Sequence, residues 1–94
     1  MPTLLDYLLA TRKKFMVTPE SIKQNIEQGM VVTHLTVIGD GQHFEAVVVS
    51  EEFAGKNRVQ RHQRVYQTLG DRMREEIHAL SIKTYTPQEW EGSR

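Results

Sequence analysis

The sequence predicts an α+β fold in which a three-stranded mixed sheet carries helices packed on one face. Two runs rich in β-branched residues flank a Gly-Asp-Gly-Gln turn, which predicts an antiparallel hairpin. A third apolar strand follows only after residues 51–77, which contain a helical pattern. A connection of that length suits a parallel strand pair joined by a right-handed crossover. Helix-capping signals stand before the hairpin and after the last strand.

Composition limits the size of the protein and the chemistry it can perform. The chain has 94 residues, of which 38% are hydrophobic, enough for one domain with a modest core. Twelve basic residues balance twelve acidic ones, and no apolar run approaches the ~20 residues that span a bilayer. The chain has no cysteine, so a disulfide, a thiolate zinc site, a thiol nucleophile and an iron–sulfur site built from its own Cys are all excluded.

Residues 1–15 are interpreted as an N-terminal extension to a domain of residues 16–94. Leu4, Leu5, Leu8 and Leu9 have helical spacing after a cap at Thr3, which is compatible with a short amphipathic helix. A poorly ordered extension, or an upstream start before a core that begins near Met16, is the preferred interpretation, since termini are commonly loose. Residues 4–9 could also dock the chain to a second copy or to another protein.

The first helix of the domain is expected to begin after Thr18. Thr18 is a helix cap, Pro19 occupies the first helical position, and Val17 can contact Ile22 as a hydrophobic staple. Gly29 is expected to end the helix by adopting the left-handed conformation.

The hairpin is predicted from strands at residues 31–38 and 43–50, with a turn at residues 39–42. Phe44, Ala46 and Val48 alternate along the second strand and therefore share one face. Residues 51–57 follow as a helical turn and a glycine-containing loop.

A long helix is predicted from Arg58 to about Glu76, with Gly70 inside it. Its apolar stripe is a set of residues spaced by three or four, namely Val59, His62, Tyr66, Leu69 and Met73. The third strand covers residues 78–85 and buries Leu80 and Ile82. Thr86, Pro87 and Glu89 then form the capping signal of a last helical turn that carries Trp90.

Two histidines stand at the starts of the strands predicted to be parallel. His43 opens the second strand and His78 opens the third, so both belong at one edge of the sheet if the strands are neighbours. Imidazole binds iron, zinc and copper, and the pair is a candidate metal site. The alternatives are a helix-capping His78 and a solvated His43. His62 is interpreted as a packed, hydrogen-bonded residue, and His34 as a strand residue.

A basic segment forms the second candidate site. Lys56, Arg58, Arg61 and Arg64 lie within nine residues that contain no acid, so a glycine-containing loop leads into a basic helix that could hold phosphate. The loop reads Gly55-Lys56-Asn57-Arg58, with Arg where a Gly-x-x-Gly clamp has its second glycine. A solvated positive face is the alternative. Neither the adjacent acid pairs nor the serines have a recognisable catalytic setting.

Three segments together resemble the BolA-like protein family. They are residues 47–55 (VVVSEEFAG), residues 58–66 (RVQRHQRVY) and residues 77–90 (IHALSIKTYTPQEW), and the likeness extends from about Met16 to Trp90. The resemblance implies a KH-like αββααβ fold. It also implies a partner, a monothiol glutaredoxin, with which a [2Fe–2S] cluster is shared.

In that family the glutaredoxin and glutathione supply thiolates, and the BolA-like chain supplies the remaining ligands, which match His43 and His78. The resemblance therefore implies a non-enzymatic, cytoplasmic adaptor in iron–sulfur trafficking, iron sensing or stress response that holds no cluster when alone. It also implies an alternative, a DNA-binding transcriptional regulator that uses Lys56, Arg58, Arg61 and Arg64. The sequence does not decide whether the chain forms a homodimer.

Overall fold

The computed structural model describes residues 18–40, 42–70 and 79–93. Its elements are α1 (Pro19–Gly29), β1 (His34–Gly39), β2 (Phe44–Val49), a 3-10 turn (Glu51–Phe53), α2 (Arg58–Leu69), β3 (Leu80–Tyr85) and α3 (Pro87–Ser93). The predicted order of elements is confirmed over these parts. The N-terminal extension, the Val17 contact, Met73 and His78 lie outside the described residues. No described helix has both the length and the hydropathy needed to cross a membrane.

The strand order β1-β2-β3 gives the mixed sheet that the sequence predicted. β1 and β2 are antiparallel, whereas β2 and β3 are parallel. At one end of the sheet Phe44 lies between Gly39 and Leu80, and at the other end Val49 lies between His34 and Tyr85. Both hairpin strands start later than predicted. β1 begins at His34 instead of Val31, and β2 begins at Phe44, one residue after His43. The Val31 side chain is 73% exposed, and its N–H donates to the Glu52 carboxylate.

The core lies between one face of the sheet and the helices α1 and α2. The sheet contributes alternating residues, which point to the same face because the side-chain period of a strand is two. The buried apolar side chains are Ile22, Ile26, Met30, Phe44, Ala46, Val48, Phe53, Val65, Leu69, Leu80 and Ile82. His34, Thr36 and Ile38 of β1 belong to the opposite face, which α1 and α2 do not cover.

Helix α1 begins as predicted and ends for a different reason. The Thr18 hydroxyl accepts from the Ser21 N–H, and the Ser21 hydroxyl accepts from the Thr18 N–H, a reciprocal capping box. Gly29 is the last residue of the helix but has no left-handed backbone, so that expectation is wrong. Gly29 is instead in close contact with α2, where a β-carbon on it would lie 2.8 Å from Cβ of Thr68.

Helix α2 is capped by Asn57, and its buried side differs from the predicted stripe. The Asn57 side chain accepts from the Gln60 N–H. Val59 was predicted to be buried but is 64% exposed, whereas Val65 is fully buried. The helix ends at Leu69, and Gly70 at φ 66° is its cap, so placing Gly70 inside the helix was wrong. Leu69 of the predicted stripe is buried and Tyr66 packs against the core, so the stripe is wrong at Val59, where the start of the helix extends past the sheet that would cover it.

Candidate functional site

The hairpin end of the sheet holds His43 in a well-defined loop. The Asp40 carboxylate accepts from the N–H groups of Gln42 and His43, each at 2.9 Å, and the Asp40 N–H donates to the His43 carbonyl at 3.2 Å. The hydrogen bonds that the Asp40 carboxylate accepts lower its pKa below the usual value, and the bond from the His43 N–H has the largest effect. The backbone is thus fixed on either side of an exposed His43 side chain.

The strand arrangement on which the two-histidine hypothesis depends is confirmed, whereas the ligand set itself stays a prediction. β2 and β3 are parallel neighbours, and Phe44, which follows His43, is paired with Leu80. His78 precedes Leu80 by two residues in the sequence but lies outside the described residues. The described stretches contain no cluster of three His, Asp or Glu side chains able to hold a metal ion. Two imidazoles do not complete the coordination of a metal ion, so a metal held by His43 and His78 would need further donors.

The four basic residues predicted to act together are separated into two groups by ion pairs. Arg61 Nη1 lies 2.7 Å from Oε1 of Glu89, and its Nε donates to the Lys56 carbonyl. Arg64 Nη2 lies 3.0 Å from Oε1 of Glu52 and donates to the Gly29 carbonyl, which joins α2 to α1. Arg61 and Arg64 therefore stabilise the fold and are not free surface cations.

A cationic cleft of about 500 Å³ lies between the start of α2 and β3. Lys56, Arg58 and Arg61 line it, and Arg64 does not. Lys83 of β3 also lines the cleft, together with Tyr85 and Glu89. Sequence reasoning missed Lys83 because it lies far along the chain from the basic segment, and only the packing of β3 beside α2 brings it there. The sequence carries one signal for Lys83. It follows Ile82, which is buried, and the alternation of side chains along a strand therefore puts Lys83 on the exposed face.

His62 lies in the wall of this cleft and is packed as predicted. Its ring contacts Tyr66 edge-on, with 6.5 Å between ring centroids. Burial lowers the pKa of His62 and nearby Arg58 lowers it further, whereas a hydrogen bond with the Ile82 backbone opposes the shift. His62 thus lies between α2 and β3, where burial disfavours the charged form of its ring.

His34 has aromatic partners that the sequence did not suggest. It stacks on Trp90 of α3 with ring centroids 4.9 Å apart, and Trp90 also contacts Tyr85 at 5.4 Å. The His34 ring lies 2.9 Å from the Thr36 hydroxyl. Because His34 lies on the face opposite the core, Trp90 attaches the last helix to the far side of the sheet.

Comparison with known proteins identifies the family. The family model described as "BolA-like protein" matches residues 9–89. A Vibrio cholerae protein named "DNA-binding transcriptional regulator BolA" is 48% identical over 73 residues, which cover 78% of this chain and 66% of that relative, just under two thirds of its length. The Arabidopsis thaliana "Protein BOLA2" is 45% identical over 80 residues, which cover 80% of this chain and 85% of that protein.

A solved structure agrees with these relatives. The bolA protein homologue from Coxiella burnetii superposes with a TM-score of 0.68 at 51% sequence identity, covering 81% of this chain and 99% of that one. A match that covers this share of both chains extends the similarity from sequence to fold. The chain belongs to the BolA-like protein family.

Proposed function

We propose that this protein is a non-enzymatic adaptor that binds a [2Fe–2S] cluster jointly with a monothiol glutaredoxin. Membership of the BolA-like family supports the proposal. The single observation that carries it is the parallel pairing of β2 and β3, since His43 directly precedes one strand and His78 precedes the other by two residues. We assign the adaptor to the cytoplasm and to iron–sulfur trafficking, iron sensing or stress response.

The donor chemistry supports a shared cluster over a resident one. Clusters of this type are held mostly by thiolates, and the chain has no cysteine. His43 and His78 would ligate one iron through imidazole nitrogen, and the partner and glutathione would supply the thiolates. The cluster, when bound, supplies redox-active iron, and histidine ligation raises its reduction potential relative to thiolate ligation. The chain's own contribution is to orient His43 through the Asp40 loop.

The experiment mixes the protein with a cluster-loaded monothiol glutaredoxin and records visible circular dichroism. We expect the purified protein alone to be colourless, and the mixture to give a spectrum that differs from that of the glutaredoxin alone. The His43→Ala, His78→Ala double variant should lose this change. His34→Ala is the matched control, because it removes a histidine from the opposite end of the sheet. An unchanged spectrum for the double variant, with native far-ultraviolet dichroism, contradicts the ligand assignment.

A conservative variant separates ligation from packing. His43→Cys replaces one ligand by a thiolate, which iron–sulfur clusters accept. We expect the complex to form and its visible dichroism bands to shift. A His43→Cys spectrum identical to that of the wild-type complex contradicts ligation by His43.

A DNA-binding regulator is the second candidate, supported by the name of the Vibrio cholerae relative and by the cationic cleft. The ion pairs of Arg61 and Arg64 leave Lys56 and Arg58 as the members of the basic segment able to contact phosphate without breaking a described ion pair. The slope of log affinity against log salt should therefore be about −2 and not about −4, because each phosphate contact contributes about −0.9. Duplex binding that survives Lys56→Ala with Arg58→Ala contradicts this candidate.

A further inference from the structure

The outer edge of β3 carries unpaired backbone groups beside the cationic cleft. β3 is the last strand of the sheet, and no strand among the described residues lies beyond it. The Tyr85 carbonyl accepts from the Ser50 N–H at 3.0 Å, so the polar groups of Tyr85 face β2. Because successive residues of a strand direct these groups to alternate sides, those of Ile82 and Thr84 face outward. Both residues line the cleft.

Part of this edge is already occupied by a side chain. His62 lies in the cleft beside Ile82, and its interaction with the Ile82 backbone raises the pKa of the ring against the lowering effect of burial. The Ile82 N–H and both polar groups of Thr84 have no partner among the described residues. A short stretch of open strand edge therefore remains. A peptide in an extended conformation can pair with such an edge and add one more strand to the sheet.

Cations flank this open stretch on both faces of the sheet. Lys56 and Arg58 line the cleft from the α2 side, whereas Lys83 alternates with the buried Ile82 and belongs to the opposite face. None of the three forms an ion pair within the described stretches, while the Glu89 carboxylate is held by Arg61. A strand added here would have a cation near the side chains of each of its faces.

We propose that the outer edge of β3 is a docking site for an acidic, extended peptide segment of a partner protein, which adds to the sheet as a further strand. The peptide backbone would pair with Ile82 and Thr84, and its Asp or Glu side chains would meet Lys56, Arg58 and Lys83. The site runs along the carboxyl half of β3. It therefore requires neither His43 nor a cluster, and it stands or falls independently of the proposed adaptor function.

Two other occupants fit the same surface less well. A second copy of this chain would place the β3 cations against their own equivalents, and like charges opposite one another are destabilising. A nucleic-acid strand could contact the cations, but its phosphodiester backbone has acceptors only and leaves the Thr84 carbonyl unpaired. A peptide strand satisfies both the donors and the acceptors of the edge.

The binding test uses a fluorescein-labelled octapeptide that repeats Glu-Glu-Val-Thr twice, so that acids point to both faces of the added strand. We expect saturable anisotropy, and amide chemical-shift changes centred on Ile82, Lys83 and Thr84. The Arg58→Glu, Lys83→Glu variant should weaken binding by about tenfold or more. Lys23→Glu on exposed α1 is the matched control and should change affinity by less than about twofold. A Lys-Lys-Val-Thr peptide should bind the charge-reversed variant better than the wild type.

A second probe distinguishes strand pairing from charge attraction alone. The same octapeptide, N-methylated at every residue, keeps its charge but has no backbone N–H left to donate to a strand edge. We expect its affinity to fall about tenfold or more, and the unmodified peptide to slow hydrogen exchange at the Thr84 amide by a similar factor. Equal affinity of the two peptides overturns the proposal. An oligo-dT single strand that shifts the same amides while the acidic peptide does not would also overturn it.

Discussion

Replacing Gly29 by alanine tests the close approach of α1 and α2. A β-carbon on Gly29 would lie 2.8 Å from both Cβ and Cγ2 of Thr68, and 3.2 Å from its Cα. Carbon atoms pack best at about 3.5–4.0 Å, so the new methyl group would overlap by roughly 1 Å. Rotation of the Thr68 side chain does not remove its Cβ, and its hydroxyl donates to the Val65 carbonyl. The helices would have to move apart.

The expected magnitude combines two opposing effects. Overpacking costs about 1–3 kcal/mol, and the higher helix propensity of alanine returns at most about 1 kcal/mol. We expect a net loss of about 1–2 kcal/mol in the free energy of unfolding. For a domain of this size, that lowers the melting temperature by roughly 5–15 °C.

Urea denaturation followed by circular dichroism measures this loss through the midpoint at constant m value. In a Thr68→Gly background the obstructing Cβ and Cγ2 are absent, and Gly29→Ala should stabilise by up to about 1 kcal/mol. The double-mutant cycle should therefore give a coupling of about 2 kcal/mol. Gly92→Ala is the matched control, since a β-carbon there meets nothing within 4 Å. If Gly29→Ala stabilises the wild-type protein as Gly92→Ala does, the close-approach argument is refuted.

Four further outcomes follow from described contacts. The hydrogen bonds from Arg61 and the Thr86 N–H lower the pKa of Glu89 to about 2, so its stabilisation is present above about pH 4.5 and is lost as the pH falls toward 2. Thermal melts over this range should therefore show a smaller decline for Glu89→Gln than for the wild type. Gly70→Ala should cost about 1–3 kcal/mol in urea denaturation, because φ 66° and ψ −177° strain any side chain although the space is open. Phe53→Ala, which truncates a fully buried ring, should cost about 3–5 kcal/mol by the same assay. Trp90→Ala should cost roughly 1 kcal/mol and shift the His34 ring protons in nuclear magnetic resonance spectra, and an unmoved His34 signal would contradict the stacking.

Elements whose signals are local were predictable to within a few residues. The capping box at Thr86 joins groups three residues apart, and both of its hydrogen bonds form as the sequence indicated. The alternation of Phe44, Ala46 and Val48 predicted the buried face of β2. The crossover between β2 and β3 was predictable as well, because a connection that long suits a parallel pair.

The candidate sites were predictable only in part. The parallel strand pair next to His43 followed from topology, and the BolA-like resemblance is confirmed by the family match. The basic segment was read as one face, yet Arg61 is paired with Glu89, which lies 28 residues away, and Arg64 with Glu52, which lies 12 residues away. Which arginines remain free depends on where α2 packs, and helical spacing cannot give that position.

The sequence by itself determined the N-terminal caps at Thr18 and Thr86, the order of the strands, the absence of cysteine and the family of this protein, because those properties are set by residue type and by neighbours along the chain. Only the tertiary structure decided which surfaces are charged and which are open. It brought Lys83 to the cleft that Arg58 also lines, stacked His34 on Trp90 and made Gly29 a contact point between helices. Each of these contacts joins residues from different elements, and their distances follow from how the core packs.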